Sequence, residues 1–200
     1  MNAAIVAPLA TKMIKMIAQK NILTWSLAVF VALNLVACGS DQTSADPAKA
    51  VVIDFHYSLI ENPMMGVPSD ESLKQISPFI SARLQAHLAA ARAAEEAAQL
   101  RHHGTEPPMV QGALFYSMFE GAQRVVDIRA EKNAAIYQVT FEYLPFADSE
   151  TQRIQWHDRT FVVLEQGRYV VDDVEYQGDW QFKPVGKLSD VLQRVIDSER

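Results

Sequence analysis

The sequence predicts an α+β domain: N-terminal helices packed on a curved, cone-like antiparallel sheet of about four strands, with a short C-terminal helix. Three observations predict it. Apolar residues recur at helical spacing up to about residue 101. From residue 124 they alternate with polar ones, the period of half-buried strands. Gln166-Gly167 separates two such alternating runs, a two-residue hairpin signal. Helices first and antiparallel strands afterwards is α+β segregation.

Each element has its own signal. Asp46-Pro47 is an N-cap followed by proline at the first helical position. Ala48, Val51, Val52, Phe55 and Leu59 then share one face, and Asn62-Pro63 stops the helix. Ser69-Asp70-Glu71 opens a short second helix through Leu73 and Ile76. Ser77-Pro78 repeats the cap-plus-proline signal and predicts a long helix over 78–101, with Ile80, Leu84, Leu88 and Ala91 on one face. Its alanine-rich second half either leaves the core or packs closely on a neighbour. The prolines and glycines of 104–113 make a loop. Strands are expected over 124–129, 135–144, 153–165 and 168–174, with a possible short one at Trp180 and Phe182. Leu188, Val191, Leu192, Val195 and Ile196 form one stripe of a closing helix. Helices on one face of a curved sheet match the outline of nuclear-transport-factor-2-like folds. There is no internal repeat.

Upstream of this domain, 1–37 reads as a lipoprotein signal peptide. Lys12, Lys15 and Lys20 precede an apolar run over 22–37, and no acidic residue interrupts either. That run is 16 residues, short of the roughly 20 a spanning helix needs. A start at Met13 or Met16 gives a signal of more usual length. The run ends in Leu35-Val36-Ala37-Cys38, a lipobox. Cys38 is then the lipidated N-terminus of the mature chain, 38–46 a flexible tether, and 47–200 a single domain. Acylation anchors the chain at about 0.8 kcal/mol per buried methylene. Gly39 follows the cysteine, where an aspartate would favour inner-membrane retention. The expected address is therefore the outer membrane, facing the periplasm.

Cys38 is the only cysteine, so lipidation leaves the domain without thiol or disulfide. Losing three of the eighteen basic residues leaves fifteen against twenty-four acidic, a net −9 with histidine neutral. Such a balance disfavours nucleic acid and would draw a basic partner, although it also serves plain solubility.

Candidates for chemistry are few. Asp172, Asp173, Glu175 and Asp179 cluster beside Tyr176 and Trp180. Paired carboxylates serve acid–base chemistry or cation binding. Adjacent strand residues point to opposite faces, however, so one of Asp172 and Asp173 is expected to make a structural hydrogen bond and the other to be solvated. Trp156-His157-Asp158 has the same geometry, and no serine in a nucleophile elbow or free cysteine completes a triad. His102 and His103 are neighbours on a helix end and cannot share a metal as i, i+4 histidines can. His56 and His87 stand alone and read as surface or boundary residues. Residues 112–121, with Phe115 and Glu120, are apolar and aromatic between glycines. They read as core, or as a segment that lines a ligand or faces a partner. No cofactor, metal or catalytic residue is assigned.

Several of these stretches together resemble a known group. They are Phe55-His56-Tyr57, residues 76–81, Ser117-Met118-Phe119-Glu120-Gly121, Trp156, Asp158, Val162, the hairpin over 165–176 with its Val-Asp-Asp-Val-x-Tyr-x-Gly continuation, and Gly186-Lys187-Leu188. They resemble small bacterial envelope lipoproteins of largely unknown function, a family that includes YbjP-like lipoproteins and type VI secretion amidase-immunity proteins. The resemblance spans about 47–195. It implies a non-enzymatic α+β module that meets another envelope protein, either a basic amidase or a channel component. Such proteins carry an acidic residue where this chain has Ala113, so any role of that residue is missing here. Three readings follow: a lipid-anchored protein-binding module, including an immunity-type inhibitor of a peptidoglycan amidase; an accessory of an outer-membrane or efflux assembly; and a ligand-binding or enzymatic domain using a cone pocket.

Overall fold

A computed structural model describes residues 46–133, 135–145, 152–181 and 183–198. The signal peptide, Cys38, the tether up to residue 45 and Phe182 lie outside the described residues.

Helix α1 (Pro47–Glu61) starts where its cap dictates: the Asp46 carboxylate accepts from the amides of Ala48 and Lys49, both at 3.1 Å. The buried stripe is Ala48, Val52, Phe55, His56 and Leu59. Helix α2 (Asp70–Ile76) is capped by Ser69. The long helix begins later than Ser77-Pro78 predicts. Ser77–Phe79 form only a 3-10 turn, and Ile80 is extended and bridges Val171 in parallel. The Ser81 hydroxyl, accepting from Leu84 N at 3.0 Å, is the real cap of α3 (Ala82–Arg101). Hydrogen bonding of residues 80 and 81 to a strand outweighs the local proline signal; Ser81 N donates to Val171 O at 2.9 Å. In the alanine-rich half of α3, Ala91, Ala94 and Ala98 are buried and the helix packs on α4 (Leu188–Asp197). The small side chains permit close packing.

The sheet is an antiparallel meander in the order β1-β2-β3-β4 and is not closed: β1 (Arg124–Ala130), β2 (Ile136–Tyr143), β3 (Ile154–Glu165) and β4 (Arg168–Glu175). This is the α+β architecture the pattern predicts, with the C-terminal helix in place. Gln166 and Gly167 both have positive φ, 50° and 81°, as the right-twisted two-residue turn requires. No strand forms at Trp180, which lies in a bend.

The core lies between α1 and the inner face of the sheet. Phe55, Phe115, Tyr137, Val139 and Phe141 are all buried there. Burying each such apolar side chain is worth about 1.5–3 kcal/mol.

Candidate functional site

The predicted candidates divide into a buried group and a rim group. Asp158 leads the first. Alternation along β3 turns Trp156, Asp158 and Thr160 inward and leaves His157 exposed, so no His–Asp dyad forms. Asp158 is fully buried and each carboxylate oxygen accepts twice. Oδ2 takes Ser117 N at 2.9 Å and Trp156 Nε1 at 3.1 Å. Oδ1 takes Gln177 N at 2.9 Å and the Ser117 hydroxyl. Ser117 Oγ in turn accepts from Gly178 N at 3.0 Å, and Trp180 Nε1 donates to Ser117 O at 2.8 Å. Gly178 fits because a Cβ there would lie 2.8 Å from both Ser117 Cβ and the Trp180 ring. The Tyr176 hydroxyl donates to Leu114 O at 2.6 Å. Asp158 therefore clips the 112–121 segment to the chain leaving β4. Among the described residues no cation touches it, and burial outweighs its donors to raise its pKa.

The segment itself is core. Phe115 is buried, whereas Glu120 is exposed and apart from the cluster. Around it runs a chain of rings: Phe55–His56 and His56–Phe141 at 4.9 Å, Phe141–Trp156 at 5.5 Å, Trp156–Trp180 at 5.7 Å. His56 is no boundary residue. It is fully buried, its Nε2 lies 2.8 Å from Thr160 Oγ1, and burial drives its pKa down to about 3. The Tyr116 hydroxyl is buried without a hydrogen-bond partner, and burial with the Asp158 charge holds it protonated. Beside Tyr116 lies a cavity of about 20 Å³, room for about one water.

The rim group overturns one expectation. Asp172 and Asp173 do not turn away from each other. Phe161 pairs with Asp173 but Val162 with Val171, so Asp172 is the extra residue of a β-bulge. The bulge suspends alternation, and Arg83 Nη2 approaches both carboxylates, at 2.8 and 3.7 Å. Neither is merely solvated. Asp172 accepts from the Ser81 hydroxyl at 2.6 Å and from Arg83 Nε at 3.0 Å, and these bonds hold its pKa down against partial burial. Asp173 accepts from Ser189 N at 3.1 Å and the Ser189 hydroxyl at 2.6 Å. The pair thus ties the start of α3 and the start of α4 to β4. Glu175 bonds Arg159 Nη1 at 2.8 Å, and His102 pairs with Glu106 rather than with His103.

Sequence reasoning found Asp158, Trp156, Tyr176 and Trp180 but missed Ser117, Gln177, His56 and Thr160. The Ser117 signal was present in the segment already singled out. Among the described residues no group of three histidines, cysteines or carboxylates is placed to hold a metal, and no helix is long and apolar enough to cross a membrane. The surface carries open grooves, including one of about 680 Å³ between α3 and the 104–108 loop, edged by Leu100 and by Glu95, Glu96 and Glu106.

No family model and no curated protein matches the chain. A solved structure of a protein of unknown function from Bacteroides thetaiotaomicron VPI-5482 is similar to it at 15% identity, over 64% of this chain and 87% of that one, with a TM-score of 0.33.

Proposed function

We propose that this protein is a lipid-anchored bacterial envelope lipoprotein whose domain binds another envelope protein and catalyses no reaction. The observation that carries the reading is the lipobox Leu35-Val36-Ala37-Cys38 at the end of a short apolar run. Asp46 caps helix α1, and the residues between it and Cys38 can span at most about 25–30 Å, so the domain works close to the bilayer. The site chemistry supports binding over acid–base catalysis: Asp158, Asp172 and Asp173, the carboxylates best suited to it, are all engaged in holding the scaffold. A net −9 favours a basic partner.

The anchor is tested by Cys38→Ser. The native chain should incorporate labelled palmitate and fractionate with membranes, and the variant should do neither. A variant that still sediments with membranes sinks the lipoprotein reading. Crosslinking in intact cells then separates partners. A basic peptidoglycan amidase supports the immunity version, and a stoichiometric channel protein supports the accessory version.

A further inference from the structure

The two edges of the sheet are unlike. The outer edge of β4 is covered: Ile80 bridges Val171, and Lys187 bridges Glu175. β1 has no such neighbour among the described residues. Val126 is 42% exposed, and Arg129 and Ala130 are exposed. Asp127 and Arg129 pair with Thr140 and Gln138, and Glu131 N donates to Ile136 O at 2.9 Å. By alternation, the backbone groups of 127, 129 and 131 face β2, and those of Ile128 and Ala130 face outward, unpaired.

We propose that β1 pairs antiparallel with β1 of a second copy of this chain, about a two-fold axis through Ile128. The register follows from the strand. An axis at Asp127 would need backbone groups already bonded to β2. An axis at Val126 would fall on the bulge between Val125 and Asp127. An axis at Ala130 would run past the end of the strand. At Ile128 the outward groups meet their own copies. Asp127 then stands opposite the partner's Arg129, and Arg129 opposite the partner's Asp127, two complementary pairs on the exposed face. Within one chain these side chains already pair, so dimerisation exchanges one partner for an equivalent one. Beside the edge, a groove of about 280 Å³ lined by Lys49, Ile53, Tyr57 and Val126 adds apolar surface; Tyr57 is 47% exposed. A two-fold perpendicular to the sheet keeps both α1 helices on one face. Asp46 lies on that face, held by the Tyr137 hydroxyl at 2.7 Å. The inference rests on the edge alone and holds whether or not Cys38 is acylated.

Charges on an edge strand also serve to keep strangers off. Charge reversal separates the two roles. The full chain, extracted in detergent, should show twice the protomer mass by light scattering. Asp127→Arg sets arginine against arginine and should weaken the dimer roughly tenfold or more, as should Arg129→Asp. The double reversal should restore it. Both side chains lie on the exposed face, and unchanged circular dichroism shows that the variants fold. Independently, Asp127→Cys with Arg129→Cys should crosslink two copies in an oxidising compartment. A native chain with the mass of one protomer at all concentrations overturns the proposal, as does a dimer indifferent to both single reversals.

Discussion

The interior of the helix–sheet layer and the rim of the same sheet handle polar groups in opposite ways. Inside, Asp158 and His56 are fully buried and meet only neutral partners. At the rim, carboxylates meet arginines: Asp172 with Arg83, Glu131 and Glu175 with Arg159. Glu142 stands between the two regimes: its side chain is buried, but it reaches the exposed guanidinium groups of Arg124 and Arg153. The pKa directions follow. Burial raises Asp158 and lowers His56, so each is pushed toward its neutral form. At the rim, desolvation is the largest single influence on Asp172, but the hydrogen bonds from Arg83 and Ser81 together with the charges of Arg83 and Lys187 outweigh it and lower its pKa; at Glu131 the Arg159 hydrogen bond alone exceeds desolvation and lowers it. Around Asp158 and His56 the fold relies on dipoles with fixed geometry. Where water is near it relies on charge. The first arrangement is specific and unforgiving, and the second is tolerant and sensitive to salt.

The largest test of that difference is Asp158→Ala. It strands Ser117 N, Gln177 N and the Trp156 indole in a dry site and frees the 112–121 segment. Unsatisfied buried donors cost about 1–3 kcal/mol each, and partial relaxation leaves an expected loss of about 3–5 kcal/mol in urea unfolding. A loss under about 1 kcal/mol would mean that the hub is not what holds the segment.

Acid should act through His56 next. Its folded pKa of about 3 lies below the ordinary histidine value of 6.5, so the unfolded chain binds the proton more readily. Stability from this group is complete above about pH 6.5 and is lost as pH falls toward 3, on the order of a few kcal/mol. Asp158 works against it: its raised pKa means that its ionised form costs stability, and acid relieves that cost. His56→Gln keeps a partner for Thr160 and removes the titration. Urea midpoints between pH 7 and 4 should fall steeply for the native chain and less for the variant. Parallel profiles would place the acid sensitivity elsewhere.

Most of the fold could be read from the sequence because periodicity and caps are local. Asp46-Pro47, Ser69 and Gln166-Gly167 each state their element within a few residues. What failed to show was long-range. Ser77-Pro78 looks like a helix start, but Ile80 is taken by Val171, ninety-one positions on in the chain. The bulge at Asp172 is invisible because alternation is the assumption it breaks. His56 looked peripheral because only Thr160, on a distant strand, gives its ring a reason to be inside. Asp158 was legible as a candidate but not as a scaffold residue, since Ser117 and Gln177 carry no sign in sequence that they donate to it.

The smallest effect belongs to the rim. Arg83→Met keeps most of the aliphatic stem and removes the guanidinium that spans Asp172 and Asp173. Arg83 is 47% exposed, so solvent screens the pair and the expected loss at neutral pH is about 1 kcal/mol or less. Its signature is qualitative. Asp172 has a depressed folded pKa, so its contribution is present above the ordinary carboxylate range and disappears as pH falls through the depressed value. The native-minus-variant difference should therefore shrink with acid and with salt. The Asp158→Ala difference should be nearly indifferent to salt, because no ion pair is broken there. Equal salt sensitivity in the two variants would mean that interior and rim do not use different physics.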